Sequence, residues 1–362
     1  MNRWIQTLSC MASSSLLAWG SNYAEPSKTV DPAAENKYNF PLNPDQQWFT
    51  KETYLIMKPY EDDSDYAGRL TTKASASDVE MSMRLEKPDF DWYSGARIGI
   101  GRYLANHDRW DITLFTTYFY AQEDDSSSPQ RSKGALLTPL WNPTFEGGAT
   151  KGEMTWRLNF FNWDLSAGRE YNILKTIVAH PFIGIRTALI YKDYKTNYSD
   201  HPRGLGIAQL LNAKYKASDR YWGIGPRAGV DLQFIFKDAW SFLGSFSGAL
   251  FYGYYNVEQK TSTSFVSAGA VQSNRFHSKD NRYCIRANLD TSLGMGYETW
   301  VKNHTVRLVP SILFEASCWF DTNQFFLTQS KNLQAVTPNF TNIRRQGNLI
   351  LMGFSFNLQA DF

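Results

Sequence analysis

Residues 284–299, CIRANLDTSLGMGYET, place Ile285, Ala287, Leu289, Thr291, Leu293, Met295 and Tyr297 at alternate positions, with Arg286, Asn288, Asp290, Ser292, Gly294, Gly296 and Glu298 between them. A helix would mix the two sets on every face. A β-strand points successive side chains to opposite sides, so this alternation predicts a strand with one apolar and one wet face.

The same period recurs along the chain. In residues 222–236, WGIGPRAGVDLQFIF, the even positions run from Trp222 through Ile224, Val230 and Leu232 to Phe236, while the odd ones hold glycines, Arg227, Asp231 and Gln233. Residues 305–319 set Val306, Leu308, Ile312 and Phe314 against Arg307, Ser311 and Glu315, and 349–362 set Ile350, Met352, Phe354, Phe356 and Leu358 against Gly353, Ser355, Asn357, Gln359 and Asp361. Comparable alternation covers about 91–104, 109–121, 176–193 and 240–257, and is weakest near 48–58. Residues 153–170 change phase midway, with Trp156, Leu158 and Phe160 even but Trp163, Leu165 and Ala167 odd, which predicts a bulge. The total is about ten strands. Another alternating run, Val79, Met81, Met83 and Leu85, would raise the count to about twelve if it found a second partner segment.

The connections alternate between long and short. Long polar segments follow the first strand, surround EDDSSSPQRSKG, TNYSDHPRG and TSTSFVSAGAVQSN, and cover about 321–347; short ones lie near ANHD, Asn172, KDA and KN. Brief periplasmic turns, long outer loops and an even strand number describe an all-β, antiparallel up-and-down transmembrane β-barrel of an outer membrane. With the apolar faces toward lipid, Arg97, Arg186, Arg227, Asp231, Arg286, Asp290, Glu298, Arg307 and Glu315 line the lumen. A one-residue slip would put them in hydrocarbon at roughly 2–4 kcal/mol for each arginine near the midplane, so the first register wins. A soluble sandwich also alternates, but its strands average about five or six residues, shorter than the run at 284–299.

Phe, Tyr and Trp make up 15% of the chain, while mean hydropathy is −0.43. Such rings favour a membrane interface, and Trp92, Trp110, Tyr118, Trp222, Tyr252, Tyr283 and Tyr297 fall on outward faces near strand ends. Phe362, preceded by alternating aromatics, has the form read by the machinery that inserts barrels into outer membranes. Outer-membrane lipid and that machinery are therefore expected partners. No run of about 18 apolar residues follows the N-terminus, so no helical span is expected.

Four stretches, GARIGIGRYLANHDRWDITLFTTYF (95–119), WDLSAGREYNILKTIVAHPFIGIRTALI (163–190), RYWGIGPRAGVDLQFIFKDAWSFLGSFSGALFYG (220–253) and LMGFSFNLQADF (351–362), resemble the Legionella-type major outer membrane proteins, a pore-forming family also found among chlamydia-like bacteria. The likeness covers most strands and short turns, and is most specific at HPFIGIRTALI and YWGIGPRAGVD. It implies a pore-forming outer-membrane barrel and carries over neither a solute nor a catalytic residue.

Charge is balanced, with 37 Lys and Arg against 35 Asp and Glu, and no basic block marks a nucleic-acid surface. Residues 1–24 read as a secretory signal with Leu16, Leu17 and Trp19 at its apolar centre, 25–45 as a polar segment and 46–362 as the barrel. Cys10 lacks the apolar stretch of a lipoprotein box. Cys284 faces inward by parity and Cys318 outward, which argues against an intrachain disulfide and leaves an intermolecular one, or a homo-oligomer, open.

Of the histidines, 107, 180 and 304 fall at short turns and 201 and 277 in long loops; none has metal-ligand spacing, so surface positions and no metal or cofactor are expected. GIGRY and GIGPRAG lack the following helix of a phosphate loop. The reading is a passive pore for ions and small polar solutes, not an enzyme, with an arginine excess tilting selectivity toward anions. Inward glycines such as Gly99, Gly101, Gly223, Gly225, Gly229, Gly294 and Gly296 leave room for a narrow water path rather than a packed plug. The alternatives are surface attachment through the long loops, and an outer-membrane enzyme built from His201 or His277 with Asp200 or Asp280.

Overall fold

The computed structural model describes residues 48–74, 79–104, 110–129, 135–141, 148–199, 209–237, 239–267, 270–301, 306–330 and 340–362. Ten strands form the wall: β1 (Trp48–Glu61), β2 (Tyr93–Tyr103), β3 (Trp110–Ser127), β4 (Lys151–Arg169), β5 (Ile177–Ser199), β6 (Gln209–Lys237), β7 (Trp240–Ser267), β8 (Ala270–Tyr297), β9 (Val306–Asn323) and β10 (Gly347–Asp361). Each pairs antiparallel with its neighbours in sequence, and β10 returns to β1 with Phe49 opposite Asp361. Within the apolar band closure leaves no unpaired edge, the condition for a sheet to cross hydrocarbon, while above it Ala270–Ala287 of β8 pairs with β7 alone. At the seam, backbone hydrogen bonds join Trp48 and Phe362 in both directions, at 3.1 and 2.9 Å.

The wall is far longer than a membrane requires. β6 has 29 residues and β7 and β8 have 28 each, against about 9–11 for a tilted spanning strand. On β6 the outward face is apolar from Trp222 to Phe236 and polar from Asn212 to Arg220; the inward face is small or charged from Gly223 to Asp231 but aromatic at Tyr215 and Tyr221. The polarity therefore inverts at one level, where lipid outside gives way to water and the lumen gives way to a packed core.

That inversion corrects the bulge expected in 153–170. β4 pairs without a register shift on both sides, with even residues inward throughout. Trp156, Leu158 and Phe160 are buried above the level of inversion, while Trp163 and Leu165 face lipid below it. An apolar face that changes sides because its surroundings change looks, in one dimension, like an inserted residue.

Two further expectations change. TSTSFVSAGAVQSN is not a long loop, since β7 runs to Ser267 and β8 resumes at Ala270. Val79–Glu86 is a strand but stays out of the wall: it pairs with Ala67–Ala74, which also pairs with Ala135–Pro139 in a small separate sheet. The ring remains at ten strands.

Candidate functional site

The lumen is built in two storeys. In the lower storey, level with the apolar band, charged side chains reach across the barrel. Arg97 on β2 grips Glu315 on β9 through both terminal nitrogens, at 3.2 and 2.9 Å. Arg186 on β5 binds Asp164 on β4 at 2.5 and 2.7 Å and reaches Asn288 and Asp290 on β8. Arg227 lies 3.8 Å from Asp164 and stacks over Phe182. Nearer the periplasmic end, His180 bridges Asp111 at 2.5 Å and Asp231 at 3.6 Å, and Arg307 holds Asp361 at 2.8 Å and Glu298 at 3.1 Å. The Asp231 side chain is 52% exposed although it faces inward, so the periplasmic end of this storey opens to solvent, while Arg186 and Asp164 deeper in are buried.

Glycine makes the crossing side chains fit. An added Cβ at Gly99 would strike the Phe115 ring, and one at Gly101 the Phe49 ring.

The upper storey is aromatic. Trp319 packs on Phe160 and Phe251, each at 5.2 Å between ring centres, and Tyr194, Tyr215, Tyr221 and Tyr255 fill the space above. Segments that leave the wall close it. The chain turns inward at Asp63 (φ 57°) after β1 and bends at Asp321 (φ 50°) near the end of β9, two left-handed residues at the points of departure. Beyond these turns Tyr66, Trp141 and Phe325 are buried in the mouth, Tyr194 donates to the Ser64 carbonyl at 3.0 Å, and Tyr198 donates to that of Tyr66.

One ionic cluster ties these lids to the wall. Lys192 Nζ meets Glu61 at 2.7 Å, Asp219 at 3.3 Å and the Thr322 carbonyl at 2.7 Å, and Trp156 Nε1 donates to Glu61. All three ionised side chains are buried. They lie in the projecting part of the wall, beyond the outward ring of Tyr191 and Trp222, and burial pushes the Asp219 carboxyl up to about 6. Sequence reading missed Lys192, Glu61 and Asp219 because their inward parity is visible only once the wall is known to continue upward.

All nine residues expected in the lumen face inward, but Arg286 belongs to the upper storey, 3.7 Å from Asp321 and over the Tyr255 ring. The inward face also adds Lys51 to the cations and Asp111, Asp164 and Asp361 to the anions. The arginine excess inferred from the sequence disappears, and with it the anion tilt. Trp92, Trp110, Tyr118, Trp222, Tyr252, Tyr283 and Tyr297 are all exposed on the outer wall, as is Phe362.

Cys284 is half-buried against the aromatic core and Cys318 lies on the outward face; both are free. His180 corrects the surface expectation by lying in the lumen wall, and His277 lies on projecting β8, bound to Glu258 at 2.7 Å. Asp280 pairs instead with Arg344, at 2.7 Å. His107, Asp200, His201 and His304 lie outside the described residues.

Solved structures similar to this chain are outer-membrane barrels and channels. The outer membrane protease OmpT from Escherichia coli matches at 10% identity over 88% of this chain and 98% of its own, with a TM-score of 0.40. The monoaromatic hydrocarbon channel CymD matches at 7% over 89% and 91%, TM-score 0.30, and a Pseudomonas aeruginosa FadL homologue at 10% over 88% and 90%, TM-score 0.28. The expectation of a non-enzyme is not supported, since a protease is among these similar structures. No curated protein matches. The family model described as the Legionella pneumophila major outer membrane protein precursor matches residues 41–362, so the chain belongs to that outer-membrane protein family.

Proposed function

We propose that this chain is a gated outer-membrane pore of small bore for ions and small polar solutes. The observation that carries the reading is the mismatch between the storeys: a lower lumen lined by charge, hydroxyl and glycine and open to solvent at Asp231, closed above by side chains and lids rather than by the wall. A barrel serving only as an anchor has no need of inward charge near the midplane. The hydroxyls of Tyr215, Tyr221 and Tyr255 are buried without a hydrogen-bond partner among the described residues, at a cost of about 1–3 kcal/mol each, which favours a plug that opens to water.

With His180 counted among the cations, charge on the described lumen face is near balance, and the open state discriminates only weakly between cations and anions. The test is efflux from proteoliposomes loaded with solutes of graded size. Release of salts but not of oligosaccharides supports the proposal; retention of every solute by a folded barrel, including one with the plug residue Trp319→Ala, refutes it.

A second reading, attachment through the outer loops, has one observation behind it. The strand Val79–Glu86 exposes Met81, Met83 and Leu85 together on the small outer sheet. Deletion of this strand that abolishes surface binding while leaving conductance intact would favour it.

A further inference from the structure

The projecting outer wall carries a charge pattern that pore function leaves unexplained. One row across adjacent strands reads Thr155 on β4, Lys195 on β5, Lys216 on β6, Lys260 on β7 and His277 on β8, each directly opposite the next. Thr155, Lys195, Lys216 and Lys260 point outward, since the residues flanking them in sequence are buried, and His277 shares their face by pairing opposite Lys260. Like charges directly opposite in a sheet are destabilising, and here three lysines stand side by side.

The neighbouring row shows how easily they could have been neutralised. It reads Arg157, Asp193, Ser218, Glu258 and Lys279 over the same five strands, with both signs present. Lys260 has Glu258 at 3.0 Å, a carboxylate that also binds His277; Lys195 and Lys216 have no ion pair among the described residues, and Lys195 is eased at longer range by Asp124, which stands opposite Thr155 on β3. Lys214 and Arg275 add positive charge one row further out, and Arg220 stands nearer the membrane, stacked over Tyr191 at 5.3 Å and paired with Asp193 at 3.0 Å. Across this face basic residues well outnumber the three carboxylates Glu153, Asp193 and Glu258.

Height identifies the partner. At about 3.3 Å per residue and a tilt near 40°, Lys216 stands about 15 Å above Trp222. A phospholipid headgroup layer is only about 5–8 Å thick, so an ordinary lipid falls short of this row. A membrane glycolipid with phosphorylated sugars extends to it, while its first phosphates lie level with Arg220.

We propose that the β4–β8 outer face binds the phosphorylated saccharide headgroup of an outer-leaflet glycolipid, with Lys195, Lys216 and Lys260 as the upper phosphate contacts.

The experiment uses the refolded full chain in neutral detergent and a fluorophore-labelled lipooligosaccharide. Probes are the intact glycolipid, the same glycolipid stripped of phosphate, and soluble inorganic polyphosphate. The triple variant Lys195→Gln, Lys216→Gln, Lys260→Gln is compared with a control that loses three lysines elsewhere on the wall, Lys58→Gln, Lys175→Gln, Lys237→Gln. At roughly fivefold per lysine near a charged lipid surface, the triple variant binds about a hundredfold more weakly, and the control stays within about threefold of the unsubstituted chain. Phosphate-stripped glycolipid binds as weakly as the triple variant does, and raised salt weakens the intact pair.

The proposal is overturned if the triple variant binds within threefold of the unsubstituted chain, if stripped glycolipid binds as well as intact, or if polyphosphate binds as tightly as the glycolipid. The last result would assign the face to a soluble polyanion. The stripped-glycolipid, polyphosphate and salt arms need only the unsubstituted chain, so they decide the matter even if the triple variant does not refold.

Discussion

Lys192→Met removes the cation that, among the described residues, balances a buried cluster by itself. Its ammonium contacts Glu61 at 2.7 Å, Asp219 at 3.3 Å and the Thr322 carbonyl at 2.7 Å, with both carboxylate partners at or below 1% side-chain exposure. Methionine matches the length of the stem but leaves two carboxylates facing each other without a counter-ion. Breaking a buried pair from one side costs about 3–5 kcal/mol, and the loss falls on the lids, because Glu61 and Thr322 lead into them. Urea unfolding of the detergent-refolded barrel, followed by tryptophan fluorescence, measures the total. Hydrogen exchange locates it: residues 62–66 and 322–326 lose protection while β2 and β10 keep theirs. Adding Asp219→Asn removes one of the stranded charges and restores part of the stability. A Lys192→Met protein within 1 kcal/mol of the unsubstituted chain, or one whose lids keep their protection, would refute the pinning role.

Asp219 has a folded pKa near 6 against an unfolded value of about 3.9, so its contribution is fully present below pH 4 and is lost as pH rises through 6. Lid protection factors, in which the observed exchange rate is normalised to the intrinsic rate at each pH, rise on acidification from pH 7 to 5, and Asp219→Asn abolishes that rise. Gly225→Ala blocks folding because the new Cβ would land on the Leu250 carbonyl of the next strand, whereas outward Gly248, with its nearest neighbour at 3.7 Å, accepts alanine; heat-modifiable gel mobility separates the two. Leu293→Arg on the exposed apolar face of β8 costs roughly 2–4 kcal/mol in the same unfolding assay, and Ser292→Arg on the lumen face costs less. Arg97→Ala frees Glu315 and tilts selectivity toward cations, read as a shift in reversal potential across a salt gradient.

Within the apolar band the alternation in 284–299 and 222–236 made register, facing and strand number legible, because hydrocarbon imposes one rule on every strand. Above the band the rule reverses. Ser262, Lys260 and Glu258 face water while Thr263, Thr261 and Val257 turn inward, and a sequence this polar reads as loop. The closed upper lumen was hidden for the same reason: Tyr66, Trp141 and Phe325 sit in segments with no period, and only the folded wall brings them over Tyr194 and Tyr215. Individual arginines could be placed inward, but their partners depend on which strands face each other across the lumen. Arg97 and Glu315 are 218 positions apart.

Single-channel recording in a planar bilayer, comparing the unsubstituted chain with a Phe160→Ala, Trp319→Ala variant, tests most directly that the plug closes a polar lumen. Both rings lie in the buried upper storey, 5.2 Å apart, so their removal opens the plug and leaves the lumen charges in place. The expected result is a mostly closed unsubstituted chain with brief small steps, and a variant with longer and larger ones. Equal, steady conductance from both proteins would show that the aromatic storey is no barrier. Silence from both, in barrels shown to be folded, would contradict the pore itself.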